Sequence, residues 1–168
     1  MARRSASQPL DPEAVHRKHH LFGYDSAEAE LLVAGEDLPT ADIGGHTVGV
    51  TTCYDLRFPE LYRRLVDAGA TLVLVPSAWP YPRVEHWKLL PRARAVESLL
   101  YVGAVNGSAI IDADPDPDPD LVGRSTVYDP WGTPVATTGE EPAVVTADVD
   151  PDRVETVRAE FPALDDRR

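Results

Sequence analysis

The chain has one cysteine, Cys53, in 168 residues, so no disulfide can close within it. A lone thiol suits a reducing compartment. Lysine is almost as scarce: Lys18 and Lys88 are the only two, and every other cation is an arginine. Positive charge is short overall, with a formal net charge of −12. That balance argues against nucleic acid and against anionic membrane surfaces as partners, since both attract basic patches. No apolar run approaches the length that spans a bilayer. Arg3 and Arg4 near the start have no apolar stretch behind them, so the N-terminus does not read as a secretory signal. The expected location is therefore the cytoplasm. Many acids with few lysines also fit a halophilic protein, in which salt screens the self-repulsion; equal stability at low and molar KCl would count against that origin. In a chain that avoids lysine, each retained lysine needs a reason.

What is present reads as a single α/β unit without internal repeats. Residues 1–14 are polar, contain proline and lack periodicity, which predicts an unstructured lead-in; residues 15–168 form the domain. Residues 15–22 read as a strand end or turn, and 28–35 as a helical turn. The β-branched run 46–53 predicts a buried strand. Residues 58–68 follow as a helix, with Pro59 near its start, Leu61, Leu65 and Val66 on one face, and Gly69 as its stop. The continuous apolar run 71–75 predicts a strand covered on both faces. Residues 84–100 read as an amphipathic helix with Pro91 at a kink or boundary, and 101–111 as the next strand. The acidic repeat at 114–120 cannot pack and predicts a solvated loop. Strands at 125–128 and 133–136 flank Asp129-Pro130-Trp131-Gly132, a hairpin turn signal. Residues 143–149 predict one more strand. Asp150 and Pro151 then open a helix to about Phe161, as N-cap and first helical residue. Alternating strands and helices imply a layered fold.

Cys53 falls where the strand 46–53 gives way to a helix. Such a junction can hold a thiol at a pocket mouth with backbone N–H groups aimed at it. Those donors, with a nearby cation, would favour the nucleophilic thiolate. The bland alternative is a small buried structural thiol. A cysteine-phosphatase loop is excluded, because the position six residues on is Pro59 rather than arginine. One cysteine and scattered histidines do not make a zinc ligand set with recognisable spacing.

Cys53-Tyr54-Asp55-Leu56-Arg57-Phe58-Pro59-Glu60 resembles the nucleophile motif of the nitrilase superfamily, the carbon–nitrogen hydrolases. Arg17-Lys18-His19-His20-Leu21-Phe22 is similar to that family's catalytic lysine motif. Pro76-Ser77-Ala78-Trp79-Pro80, His86-Trp87, Ala93-Arg94-Ala95-Val96-Glu97 and Val105-Asn106 also match in order, so the resemblance covers roughly residues 15–150. Several ordered motifs are far more specific than one. The resemblance implies an α-β-β-α sandwich, of which this chain carries the C-terminal portion, and a homodimer or higher homo-oligomer in the intact family form. It implies hydrolysis of a small amide, with a carboxylated one as the expected substrate class, by the amidase-like branch and without a metal or organic cofactor. Cys53 would be the nucleophile. Lys18, aided by the Tyr54 N–H, would stabilise the oxyanion. Glu28 would be the auxiliary glutamate, with Glu30 and Glu36 as competitors.

The chain departs from the family pattern in one respect. The family's general-base glutamate precedes the lysine motif, and here only Glu13 stands in that direction, too close and in an unpatterned segment. The reading is therefore of an N-terminally truncated domain with an exposed sheet edge and apolar surface. The alternative function is an inactive remnant or assembly partner. Among the remaining residues, Trp79, Trp87 and Trp131 are expected in the core or an interface, with Trp79 also able to line the substrate pocket. Asp55 and Arg57 are expected to pair and brace the elbow, while Arg57 or Arg83 could hold a substrate carboxylate. Arg94 and Glu97 are expected to be structural, and His19, His20 and His86 to be hydrogen-bonded side chains rather than bases.

Overall fold

The computed structural model describes residues 15–24, 26–108 and 121–167. The expected lead-in and the acidic loop both lie outside the described residues. Six strands form one mixed sheet in sequence order: β1 (Thr40–Ile43), β2 (His46–Val50), β3 (Leu72–Ser77), β4 (Tyr101–Asn106), β5 (Thr126–Tyr128) and β6 (Pro134–Thr137). β2, β3 and β4 run parallel, and the outer pairs are antiparallel. Parallel neighbours need a crossover. Here α2 (Pro59–Asp67) and α3 (Val84–Ser98) supply the two.

Both crossover helices pack on one face of the sheet. Leu61, Tyr62 and Leu65 of α2 and Trp87 and Ala95 of α3 join Val73, Val75, Val102 and Ala104 in the core. Strand side chains alternate between faces, so Leu74, between Val73 and Val75, emerges on the other side and is 40% exposed. Ile43 and Val105 are also exposed. The expectation that β3 is covered on both faces is thus corrected: among the described residues, only the helical face is covered. Apolar side chains are thus exposed on the other face.

Local chemistry accounts for most boundaries. Pro59 opens α2, and Gly69 follows its end with φ +86°. Asp150 accepts a hydrogen bond from the Asp152 N–H at 3.0 Å and caps α4 (Pro151–Glu160), whose Val154 and Val157 are fully buried. Arg158 fastens α4 to the ends of both crossovers, donating to the carbonyls of Ala70 (2.9 Å) and Leu99 (3.1 Å). The hairpin turn is as expected, with Asp129 accepting from the N–H groups of Trp131 and Thr133.

Several expectations change. Residues 143–149 are not a strand: Val144 is 96% exposed, and the run joins no ladder. β propensity is realised only through pairing and packing with neighbours, so composition alone does not make a strand. Of the kink or boundary expected at Pro91, the boundary is not observed: the residue sits buried inside α3, where packing outweighs the missing hydrogen bond. Strand β4 ends at Asn106, and residues 109–111 of the expected strand lie outside the described residues. Residues 15–22 form neither strand nor helix but a bent segment; the turn at 28–35 shortens to α1 (Glu28–Leu31).

Candidate active site

After β2 the chain passes Thr51 and Thr52 and turns sharply into a 3-10 turn, Cys53–Arg57, that leads directly into α2. Cys53 takes a left-handed backbone conformation, φ +46°. For a residue with a β-carbon this costs roughly 1–3 kcal/mol, and such strain persists only where the surroundings enforce it. The enforcement is visible. The Thr52 N–H donates to Asp55 Oδ2 at 3.0 Å, and the Asp55 N–H donates to the Thr52 carbonyl at 3.0 Å. Thr51 shares a 2.7 Å hydrogen bond with the fully buried Tyr62 hydroxyl of α2. Arg94 of α3 donates to the Leu56 carbonyl at 3.0 Å and pairs with Glu97 at 2.7 Å. Cys53 itself is half-buried against the core.

Asp55 is the hub that joins the elbow to the segment carrying Lys18. Its side chain is fully buried. It accepts from the His20 N–H at 2.7 Å and the His20 ring at 3.0 Å, with a longer contact from the His19 N–H at 3.4 Å. Burial pushes its carboxyl up, but the His16 ring, the backbone N–H groups of His20 and Thr52 and the His20 ring outweigh it and hold the pKa down to about 2. The His20 ring also stacks on Phe58 with centroids 3.6 Å apart, and Phe22 meets Tyr54 edge-on at 5.2 Å.

Lys18 is thereby held beside the elbow's own anchors, and Glu28 meets it. Lys18 Nζ donates to both carboxylate oxygens of Glu28, at 2.6 and 2.8 Å, and the Phe22 N–H reaches Oε2 at 3.2 Å. Of the three candidate acids, Glu28 is the one in contact with Lys18. The Lys18 carbonyl accepts from the Gly35 N–H at 2.9 Å. Gly35 lies so close that a β-carbon there would collide with the Arg17 carbonyl, which explains the glycine.

The expected Asp55–Arg57 pair is not formed. Residues two apart on a turn do not face each other, and Arg57 instead contacts His86 Nδ1 at 3.0 Å and lies over the rings of Trp79 (5.0 Å) and Tyr54 (5.9 Å). Trp79 is 2% exposed, a core residue whose N–H donates to Asn106 Oδ1 at 2.7 Å and whose indole N–H donates to the Arg83 carbonyl at 2.9 Å. The Val105-Asn106 motif therefore fixes the Trp79 loop, a role that spacing alone did not reveal. Trp87 is likewise core, while Trp131 is 39% exposed. His16 went unnoticed in the sequence, yet it lies 3.7 Å from Asp55 and stacks on His19. A cleft of about 270 Å³ beside His16 is lined by Pro39, Ala41, Ile43, Val48, Val50 and Leu74. A larger one of about 720 Å³, between α3 and β5–β6, touches none of Lys18, Glu28 or Cys53.

Comparisons with known proteins identify the chain's relatives. The carbon-nitrogen hydrolase family profile matches residues 5–159. A 2-oxoglutaramate amidase of Paenarthrobacter nicotinovorans is 36% identical over 159 residues, which is 92% of this chain and 52% of that protein. The crystal structure of Saccharomyces cerevisiae Nit3, a member of branch 10 of the nitrilase superfamily, superposes with a TM-score of 0.76 at 36% identity, over 88% of this chain and 52% of that one. An amidase from Nesterenkonia sp. AN1, with acrylamide added at its active-site cysteine, superposes with a TM-score of 0.73 at 31% identity over 90% and 57%. The chain thus spans about half the length of these relatives. With the profile covering nearly all of it, the chain belongs to the carbon–nitrogen hydrolase family.

Proposed function

We propose that this chain carries the cysteine-bearing C-terminal part of an amidase that cleaves small carboxylated amides. The observation that carries the reading is the Lys18–Glu28 pair, pinned through Asp55 and Phe22 to the strained elbow at Cys53. In the proposed reaction Cys53 Sγ attacks the amide carbonyl carbon, and the carbonyl π electrons move onto oxygen. Lys18 and the Tyr54 N–H stabilise that oxyanion. Collapse of the intermediate breaks the C–N bond, and ammonia or an amine departs with the thiol's proton, leaving a thioester on Cys53. Water then releases the acid and restores the thiol. Glu28 orients Lys18 and keeps its charge directed at the oxyanion.

The carboxylate preference rests on Arg57 and Arg83. Arg57 forms no ion pair among the described residues and lies against Tyr54 and Trp79. Arg83 covers the Phe22 ring at 5.5 Å, and Phe22 in turn abuts Tyr54. Arg57 thus lies over the residue that follows Cys53 and Arg83 over that residue's aromatic neighbour, and guanidinium groups suit carboxylate recognition. The 2-oxoglutaramate named for one relative is an amide of this kind.

The test is ammonia release from paired amides that differ only in a distal carboxylate, in molar KCl. Cys53→Ala is expected to abolish turnover. Lys18→Ala is expected to lower kcat by about 10²–10³-fold, the usual cost of one oxyanion donor. Folded protein that turns over none of the amides, or turnover that survives Cys53→Ala, would refute the proposal.

A further inference from the structure

His16, His19 and Asp55 offer one ligand atom each, and these atoms lie within 4.8 Å of one another. His16 Nε2 and Asp55 Oδ2 are 3.7 Å apart, too far for a hydrogen bond. The two imidazoles stack nearly parallel, with centroids 5.8 Å apart and planes at 16°. Neither ring nitrogen of His16 or of His19 has a hydrogen-bond partner among the described residues, and all four are buried. The His16 side chain is 8% exposed and that of Asp55 is fully buried. Buried polar atoms are nearly always satisfied, so an unpartnered nitrogen from each of two buried imidazoles, gathered with a buried carboxylate oxygen, calls for an occupant.

We propose that these three side chains bind a divalent transition ion of the zinc class. Zinc takes imidazole nitrogen at about 2.0–2.1 Å and carboxylate oxygen at about 2.0–2.2 Å, which places tetrahedral ligands about 3.3 Å apart. The His16–Asp55 pair is already near that separation, and the longest one closes by about 1.5 Å through rotation of an imidazole. Two nitrogens and one oxygen leave a fourth position for water. The carboxylate is held for the purpose: the N–H groups of His20 and Thr52 fix its oxygens at 2.7 and 3.0 Å, as outer hydrogen bonds orient metal ligands elsewhere. The net charge of −12 raises the local concentration of divalent cations.

The site would act as a clamp. Two ligands bracket Lys18 in the chain, and the third stands two residues after Cys53, so the ion ties the lysine segment to the elbow. This assignment does not depend on the amidase reading, because it is tested by metal alone.

The experiment is a titration of the full chain, stripped with EDTA, with Co²⁺, followed by visible absorbance and thermal melting. One equivalent is expected to produce the intense bands of a four-coordinate ion and to raise the melting temperature. His16→Gln and His19→Gln, each shown by circular dichroism to be folded, should lose both effects. Cys53→Ser should keep them, which separates this site from thiolate ligation. Absence of saturable bands in the wild type, binding unchanged in the folded histidine variants, or bands lost with Cys53→Ser would each overturn the proposal.

Discussion

Replacing Asp55 by asparagine removes the charge from the residue on which the elbow and the lysine segment converge, while keeping its shape. The carboxylate is an acceptor at both oxygens, serving the His20 N–H at one and the Thr52 N–H at the other. An asparagine can accept at only one of them. If its oxygen faces His20, its NH₂ meets the Thr52 N–H, donor against donor, and a buried donor is left unmade at a cost of about 1–3 kcal/mol. An independent route gives a similar size. The pKa falls from 3.8 to about 2 in the fold, and each unit is worth about 1.4 kcal/mol, so the ionised form gains about 2 kcal/mol over the neutral one. Asp55→Asn is therefore expected to cost about 2–4 kcal/mol at neutral pH. Urea denaturation in EDTA, with the m-value checked for two-state behaviour, measures this. The pH dependence has a definite sign. A folded pKa below the unfolded one gives stability that is complete above 3.8 and drains away as pH falls towards 2. The gap between wild type and variant should narrow through that window. A loss below about 0.5 kcal/mol, the range of ordinary surface substitutions, or a gap indifferent to pH, would refute the account of Asp55 as a hub.

Other consequences are smaller but separable. Tyr62→Phe leaves the Thr51 hydroxyl without its buried partner, so a loss of about 1–2 kcal/mol is expected in the same denaturation assay. Burial also pushes the Tyr62 hydroxyl well above its usual 10.0. Its contribution should be complete below that pH and lost as pH rises further, and the alkaline decline should shrink in the variant. Gly49→Ala places a β-carbon 2.7 Å from Leu65 Cδ2; overpacking of about 1–3 kcal/mol is expected as a lowered urea midpoint. Asp150→Ala removes the cap of α4 and should cost about 0.5–2 kcal/mol, read as a lower melting temperature. A cost below about 0.5 kcal/mol in the Gly49 variant, the range of ordinary surface substitutions, would show that the β2–α2 contact is looser than described.

What could be read from the sequence was what local chemistry decides. The apolar run of β3, the Pro59 start of α2, the Asp129 turn and the Asp150 cap each depend on residues within a few positions of one another, and each appears where expected. Errors came where an outcome depends on a distant neighbour. The run 143–149 has a strand's composition, but pairing needs an adjacent edge that composition cannot supply. Leu74 looks like a residue of a doubly covered strand, yet the apolar character of a run does not say what covers it. The site divides along the same line. Cys53 and Lys18 stand in motifs legible in the sequence and Glu28 was one of three candidate acids, whereas the Asp55 hub joins residues 35 and 36 positions apart. Proximity in the chain suggested Arg57 as the partner of Asp55, but a carboxylate buried at the base of a tight turn is reached by backbone N–H groups of a crossing segment. A long arginine side chain is instead directed outward over Trp79. That outward placement leaves the guanidinium free of acids among the described residues, which is the condition under which it can meet a substrate's carboxylate. Arg57→Lys keeps the charge but loses the planar fork, so it should raise KM for a carboxylated amide and leave that for its neutral counterpart unchanged. Equal effects on both would mean that Arg57 only supports the Trp79 loop.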